Sequence, residues 1–163
     1  MLPLMQEGDR VLIAHGPKGI RRGDVVVFQQ WDILVTHRVI GIHQRQPVPT
    51  FLTKGDNAPG FDPPLGAHQV IGRVLAIERG NRYLRLDTIK WKILGCFFAV
   101  NTLGWRKIGA WNRALGRKFP GNPFGGLTTA LACKHHDAFL FVRKAIIEIF
   151  CHWKKNNSLI RSP

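Results

Sequence analysis

Serine is almost missing from this chain of 163 residues: its two serines, Ser158 and Ser162, fall in a polar C-terminal tail. The body of the sequence therefore offers no serine hydroxyl for nucleophilic chemistry. Cysteine is scarce too. Cys96, Cys133 and Cys151 are odd in number and lack paired ligand spacing, so neither a disulfide framework nor a zinc site is expected, and all three are read as buried thiols. Nothing calls for a cofactor. Long apolar runs are also absent, since a spanning helix needs about 20 residues. The best stretch, Ile93 to Val100, is too short, and Ala138 to Phe150 is interrupted by Arg143, Lys144 and Glu148. The opening Met1 to Glu7 has no basic segment followed by an apolar one, so no signal peptide is expected.

Acidic residues are unevenly missing. Residues 1–87 hold 8 Asp and Glu against 11 Lys and Arg, whereas residues 88–163 hold 2 against 13. Most of the net charge of +14 thus sits in the second half. Such an excess favours an anionic partner, either nucleic acid or an anionic membrane face, and both attractions weaken with salt.

What is present in the first half reads as short strands. Arg10 to Ala14 follows Gly8-Asp9, and Asp24 to Phe28 follows Gly23. Glycine takes backbone angles that other residues avoid, and aspartate bonds nearby backbone N–H groups, so Gly-Asp suits a strand entrance. Gly16 to Gly19 reads as a turn. Ile33 to Ile42 is a longer strand dense in β-branched residues, and Thr50 to Thr53 another. Asn57 to Gly66, with three prolines and two glycines, is expected to be irregular. Val70 to Glu78 and Tyr83 to Leu86 flank a Gly80-Asn81 hairpin signal. Six or so strands without a helix signal predict a curved, mainly β domain over 1–87.

After Asp87 the period changes. Ile89, Ile93, Phe97, Val100 and Leu103 recur at helical spacing, and Leu131 to Trp153 follows more loosely beyond a Pro- and Gly-rich break at 119–126. Four of the five tryptophans lie here, at 91, 105, 111 and 153, interleaved with Lys and Arg. Residues 88–163 are thus predicted to form a basic amphipathic helical extension. It suits either a membrane interface or packing of the apolar faces against the β domain, and the two are compatible.

One residue in the long strand carries chemistry. His37 lies among β-branched neighbours and is followed 19 and 25 residues later by Asp56 and Asp62 in a turn-rich segment. Spacing alone does not separate a general base from a strand histidine with an ordinary hydrogen bond. The surrounding motifs do more. Met1-Leu2-Pro3 with Gly8-Asp9, Gly23 to Phe28, Thr36-His37-Arg38-Val39-Ile40, Thr53-Lys54-Gly55-Asp56-Asn57 with Asp62, and Val70-Ile71-Gly72-Arg73-Val74 stand in order. Together they resemble the five boxes of the signal peptidase I superfamily, in its archaeal and endoplasmic-reticulum branch.

The resemblance covers about half the chain and implies a serine endopeptidase that cleaves an extended peptide after small residues. His37 would be the general base, Asp62 its orienting carboxylate and Asp56 a second supporting carboxylate, with Met1 and Pro3 beside the substrate. The family's nucleophile immediately precedes the Met of its first box. That Met is residue 1 here, so the resemblance places the serine ahead of Met1 and implies an N-terminally truncated reading, in which an upstream membrane anchor is also expected. Without the serine, the alternative is an inactive peptide-binding or membrane-associated pseudo-peptidase. A basic nucleic-acid binder is the third reading, against which stands the want of a helix-turn-helix signature.

Overall fold

The structure, a computed structural model, describes residues 4–44, 48–58, 60–118, 138–139, 141–142, 144–147 and 154–155. It is mainly β with a C-terminal helical extension. Eight strands form one antiparallel sheet: β1 (Arg10–His15), β2 (Val25–Gln30), β3 (Ile33–His43), β4 (Thr50–Lys54), β5 (Leu65–Gly66), β6 (Val70–Arg79), β7 (Arg82–Arg85) and the two-residue β8 (Lys154–Lys155). The order is β5-β4-β3-β2-β6-β7-β8, and β1 lies along the remaining edge of β6, where Arg73 pairs with Ala14 on one side and Val26 on the other. The helix α1 (Ile89–Lys118) follows. Three elements depart from the sequence reading: β5 ends the Pro- and Gly-rich segment that was expected to be irregular, a 3-10 turn, Ala67–Gln69, follows it, and β8 pairs with β7 from within the extension that was expected to be helical.

Side chains alternate across a strand, and β2 shows what that builds. Val25 and Val27 enter one core with Leu4, Val74, Ile77, Leu84, Trp91, Phe98 and Ile147, while Val26 and Phe28 enter a second with Ile20, Val39, Phe51, Leu65 and Val70. The sheet is therefore buried on both faces at its centre, and α1 supplies Trp91 and Phe98 to the first core. The change of period near residue 87 coincides with the start of α1, but the helix shares the core of the strands.

The face that α1 turns inward is not the one its most regular apolar pattern suggests. Trp91, Gly95, Phe98 and Ala99 are buried, whereas Ile89, Ile93, Phe97 and Val100 face out, as does Cys96, which was expected to be a buried thiol. Close approach decides this. A Cβ on Gly95 would collide with the backbone of Gly23, and one on Gly23 with the backbone of Gly95 and Cys96, so two glycines let helix and strand entrance touch. The other cysteines, Cys133 and Cys151, lie outside the described residues. Among the described residues no helix is long and apolar enough to cross a membrane.

Both Gly-Asp pairs behave as strand entrances. Gly8 and Gly23 have φ of 83° and 93°. Asp9 accepts the Gln6 N–H at 2.9 Å, and Asp24 accepts that of Arg21 at 2.8 Å. Asp9 also receives two bonds from Arg79, both 2.7 Å, and Arg79 reaches the Leu4 carbonyl at 3.3 Å, tying the N-terminal segment to β6. The Arg79 guanidinium, aided by the Gln6 N–H, holds the Asp9 carboxyl below its ordinary 3.8 even though burial opposes this. A depressed carboxyl pKa stabilises the fold above the unfolded value and ceases to do so as pH falls through the folded one. Asp9→Asn should therefore cost about 1–2 kcal/mol near pH 7 and progressively less as the pH drops below about 4, checked by urea unfolding at both ends of that range.

Candidate functional site

His37 and Arg38 are neighbours on β3 and so point to opposite faces of the sheet. The imidazole joins the face of Phe28, whose ring meets it edge-on with centroids 5.9 Å apart. The guanidinium joins the face covered by α1. Each side chain finds a carboxylate supplied by the segment after β4.

On the first face, His37 Nδ1 donates to Asp62 Oδ2 at 2.7 Å. The same oxygen accepts the hydroxyl of the fully buried Thr53 at 2.7 Å, and the Asp62 N–H bonds the Thr53 carbonyl at 3.0 Å. Asp62 is thus fixed through backbone and side chain by one residue of β4. The β3–β4 pairing makes this possible. Val39 opposes Thr53, and a register shift between Val39 and Gly41 brings Ile42 opposite Phe51, keeping Thr53 and Phe51 on the face of His37. Side chains of the dyad remain 22 % and 14 % exposed, so the pair is sheltered without being sealed.

A carboxylate accepts only, so Nδ1 carries a proton, and in the neutral imidazole Nε2 is then the nitrogen with the lone pair. Among the described residues Nε2 has no hydrogen-bond partner. It lies against Gly55, where an added Cβ would stand 2.8 Å from Nε2 and 3.1 Å from Cδ2. Glycine at 55 keeps that edge of the ring in place. Gly55→Ala should push the imidazole off Asp62, seen as loss of the downfield Nδ1–H proton resonance with only a modest change in melting temperature.

On the opposite face, Arg38 is clamped. Nε and Nη2 donate to Asp56 at 3.0 and 2.9 Å, Nη1 donates to the Gly23 carbonyl at 2.9 Å, and the guanidinium carbon lies 5.7 Å from the centre of the Phe98 ring. Burial pulls the guanidinium pKa down to about 10, opposed by the charge of Asp24, which leaves it protonated at neutral pH. The loop between Asp56 and Asp62 is held further along as well. Arg106 of α1 stacks on Phe61, 5.0 Å from the ring centre, beside Asp62. Lys54 donates to the Ala58 carbonyl, and the Ala58 N–H returns to the Gly55 carbonyl at 3.1 Å. A small cavity lined by Leu4, Asp24, Arg38, Arg73 and Trp91 opens on this face, away from the imidazole.

The structure therefore brings His37 and Asp62 together, while Asp56 pairs with Arg38, whose side chain lies on the opposite face of the sheet. Met1 and Pro3 lie outside the described residues; Leu4, next in sequence, is fully buried in the core under α1. Sequence reasoning did not assign roles to Thr53, Gly55, Arg38, Phe61 or Arg106. Thr53 and Gly55 lay in plain view inside a motif, but their partners depend on the β3–β4 register. Among the described residues no group of three His, Cys, Asp or Glu side chains gathers as metal ligands.

The site also borders an open strand edge. β2 pairs with residues 33–38 of β3, and β4 pairs with 38–43 on the other side. Among the described residues no strand pairs with the β4-side edge of Ile33 to His37. Among the described residues this unpaired edge ends at His37. No family model, curated protein or solved structure matches the chain.

Proposed function

We propose that residues 1–87 of this chain are the β domain of a signal-peptidase-like serine endopeptidase that binds a peptide in extended form and cuts it after small residues. The observation that carries the reading is the 2.7 Å bond from His37 Nδ1 to Asp62, with Nε2 beside Gly55 and, among the described residues, unpartnered. That tautomer is the one a general base needs: Nε2 takes the proton of a serine hydroxyl as the oxygen attacks the scissile carbonyl, then returns it to the leaving amine. Asp62 orients the ring and balances the imidazolium that forms. The resemblance assigns the hydroxyl to the position directly ahead of Met1.

The open edge along Ile33 to His37 supports the substrate part of the proposal. A peptide added there as a strand would continue the line of β4, gain main-chain hydrogen bonds, and bring its backbone to the imidazole. The same edge would serve a protein that binds peptide without cutting it, so one experiment addresses both. The chain is expressed with a serine immediately ahead of Met1 and incubated with an extended peptide bearing alanines at the expected cut. Cleavage that requires both the serine and His37 supports the peptidase. Binding without cleavage favours the inactive peptide binder, and neither binding nor cleavage defeats both.

A further inference from the structure

α1 carries apolar side chains on two opposite sides, and only one side is covered. Ile89, Ile93, Phe97, Val100 and Trp111 are 68, 64, 52, 52 and 66 % exposed. At 3.6 residues per turn these positions, with Ile108, fall in one stripe running about 33 Å along the helix, opposite the buried Trp91, Gly95 and Phe98. A stripe of this size is more apolar surface than a helix packed on one sheet face has reason to leave in water. Its surroundings are of one sign. The 30 residues of α1 contain no Asp or Glu. The exposed Lys90 and Lys107 stand on either side of the stripe, and Lys92 and Arg106 follow further round.

We infer that the outward face of α1 docks on an anionic lipid surface, with Ile89, Ile93, Phe97, Val100, Ile108 and Trp111 entering the headgroup–acyl boundary while Lys90 and Lys107 meet lipid phosphates. The charge chooses the occupant. An acid-free helix flanked by ammonium groups complements a phosphate-bearing interface, and a second copy of the same face would set like charges against one another. The geometry suits lying in the surface. The stripe runs along the length of the helix, on the side away from the core, and among the described residues no helix is long and apolar enough to cross. Trp111 closes the stripe with the side chain that favours the interface zone. This inference stands apart from the serine chemistry and does not depend on it.

The test uses the full chain and vesicles of phosphatidylcholine, alone or mixed with phosphatidylglycerol. Co-sedimentation should be strong with the anionic vesicles at low salt, weak with the neutral ones, and reduced by added salt. The triple substitution Ile93→Gln, Phe97→Gln and Val100→Gln should cut binding at least about tenfold. Its circular dichroism should stay that of the parent, since these side chains already face water. Lys90→Gln with Lys107→Gln should weaken binding to anionic vesicles about tenfold or more and leave binding to neutral ones unchanged. The inference is overturned if the parent chain does not bind anionic vesicles at low salt, if it binds neutral vesicles equally well, or if the triple variant binds like the parent. It is also overturned if sedimentation velocity finds a dimer that the triple variant abolishes, because the stripe would then belong to a second copy.

Discussion

Arg38→Met is expected to lower the free energy of unfolding by about 3–5 kcal/mol, the largest stability effect among single substitutions near the site. Arg38 and Asp56 are both almost wholly buried, and the cation also satisfies the Gly23 carbonyl beneath the Phe98 ring. Removing the guanidinium takes two hydrogen bonds and the buried cation from the Asp56 carboxylate, and one hydrogen bond from the Gly23 carbonyl, where neither is open to water. Most of the loss is thus the penalty on the partners left behind, and the pair itself contributes less. Replacing both, as Arg38→Met with Asp56→Leu, should regain more than half of it, because two apolar groups of similar shape leave fewer stranded charges. Urea denaturation of the single and double variants measures the difference. A double variant no more stable than Arg38→Met would mean that the Gly23 bond, not the ion pair, dominates.

The second large effect concerns reaction rate. In the chain carrying a serine ahead of Met1, His37→Ala should reduce cleavage by about 10⁴-fold or more, and Asp62→Asn by about 10³–10⁴-fold. The asparagine keeps the shape of the aspartate but can offer an N–H to Nδ1, which selects the tautomer with its proton on Nε2 and removes the lone pair that accepts the serine proton. Peptide affinity should change little in either variant, if main-chain pairing along β3 supplies it as proposed. A loss of rate confined to His37→Ala, with Asp62→Asn unaffected, would leave the imidazole in the mechanism and take the carboxylate out of it.

Much of the β half was legible because its punctuation is physical. The Gly-Asp pairs, the Gly80-Asn81 hairpin and the β-branched run through His37 each encode a local backbone preference, and each appears where those preferences put it. The pairing of His37 with Asp62 was less accessible. Twenty-five residues and two strand registers separate them, so only the order of the motifs suggested it. The helix was legible as a helix and misleading as to its face. Ile89, Ile93, Phe97 and Val100 form the more regular stripe, yet the inward side was chosen by Gly95, whose lack of a side chain contributes nothing to an apolar pattern. Arg38 escaped attention for a related reason: a charged residue in a strand reads as solvent-facing until its carboxylate partner, 18 positions away, is located.

The open edge of β3 has a consequence that does not depend on the proposed recognition of a peptide. Amides that no described strand pairs, flanked by the exposed Ile33 and Leu34, are a template for any extended backbone, including that of a neighbouring molecule. At high concentration the same five residues would join chains edge to edge, so occupancy by peptide ligand would also act as a solubilising agent, and self-association should compete with it for one stretch of main chain.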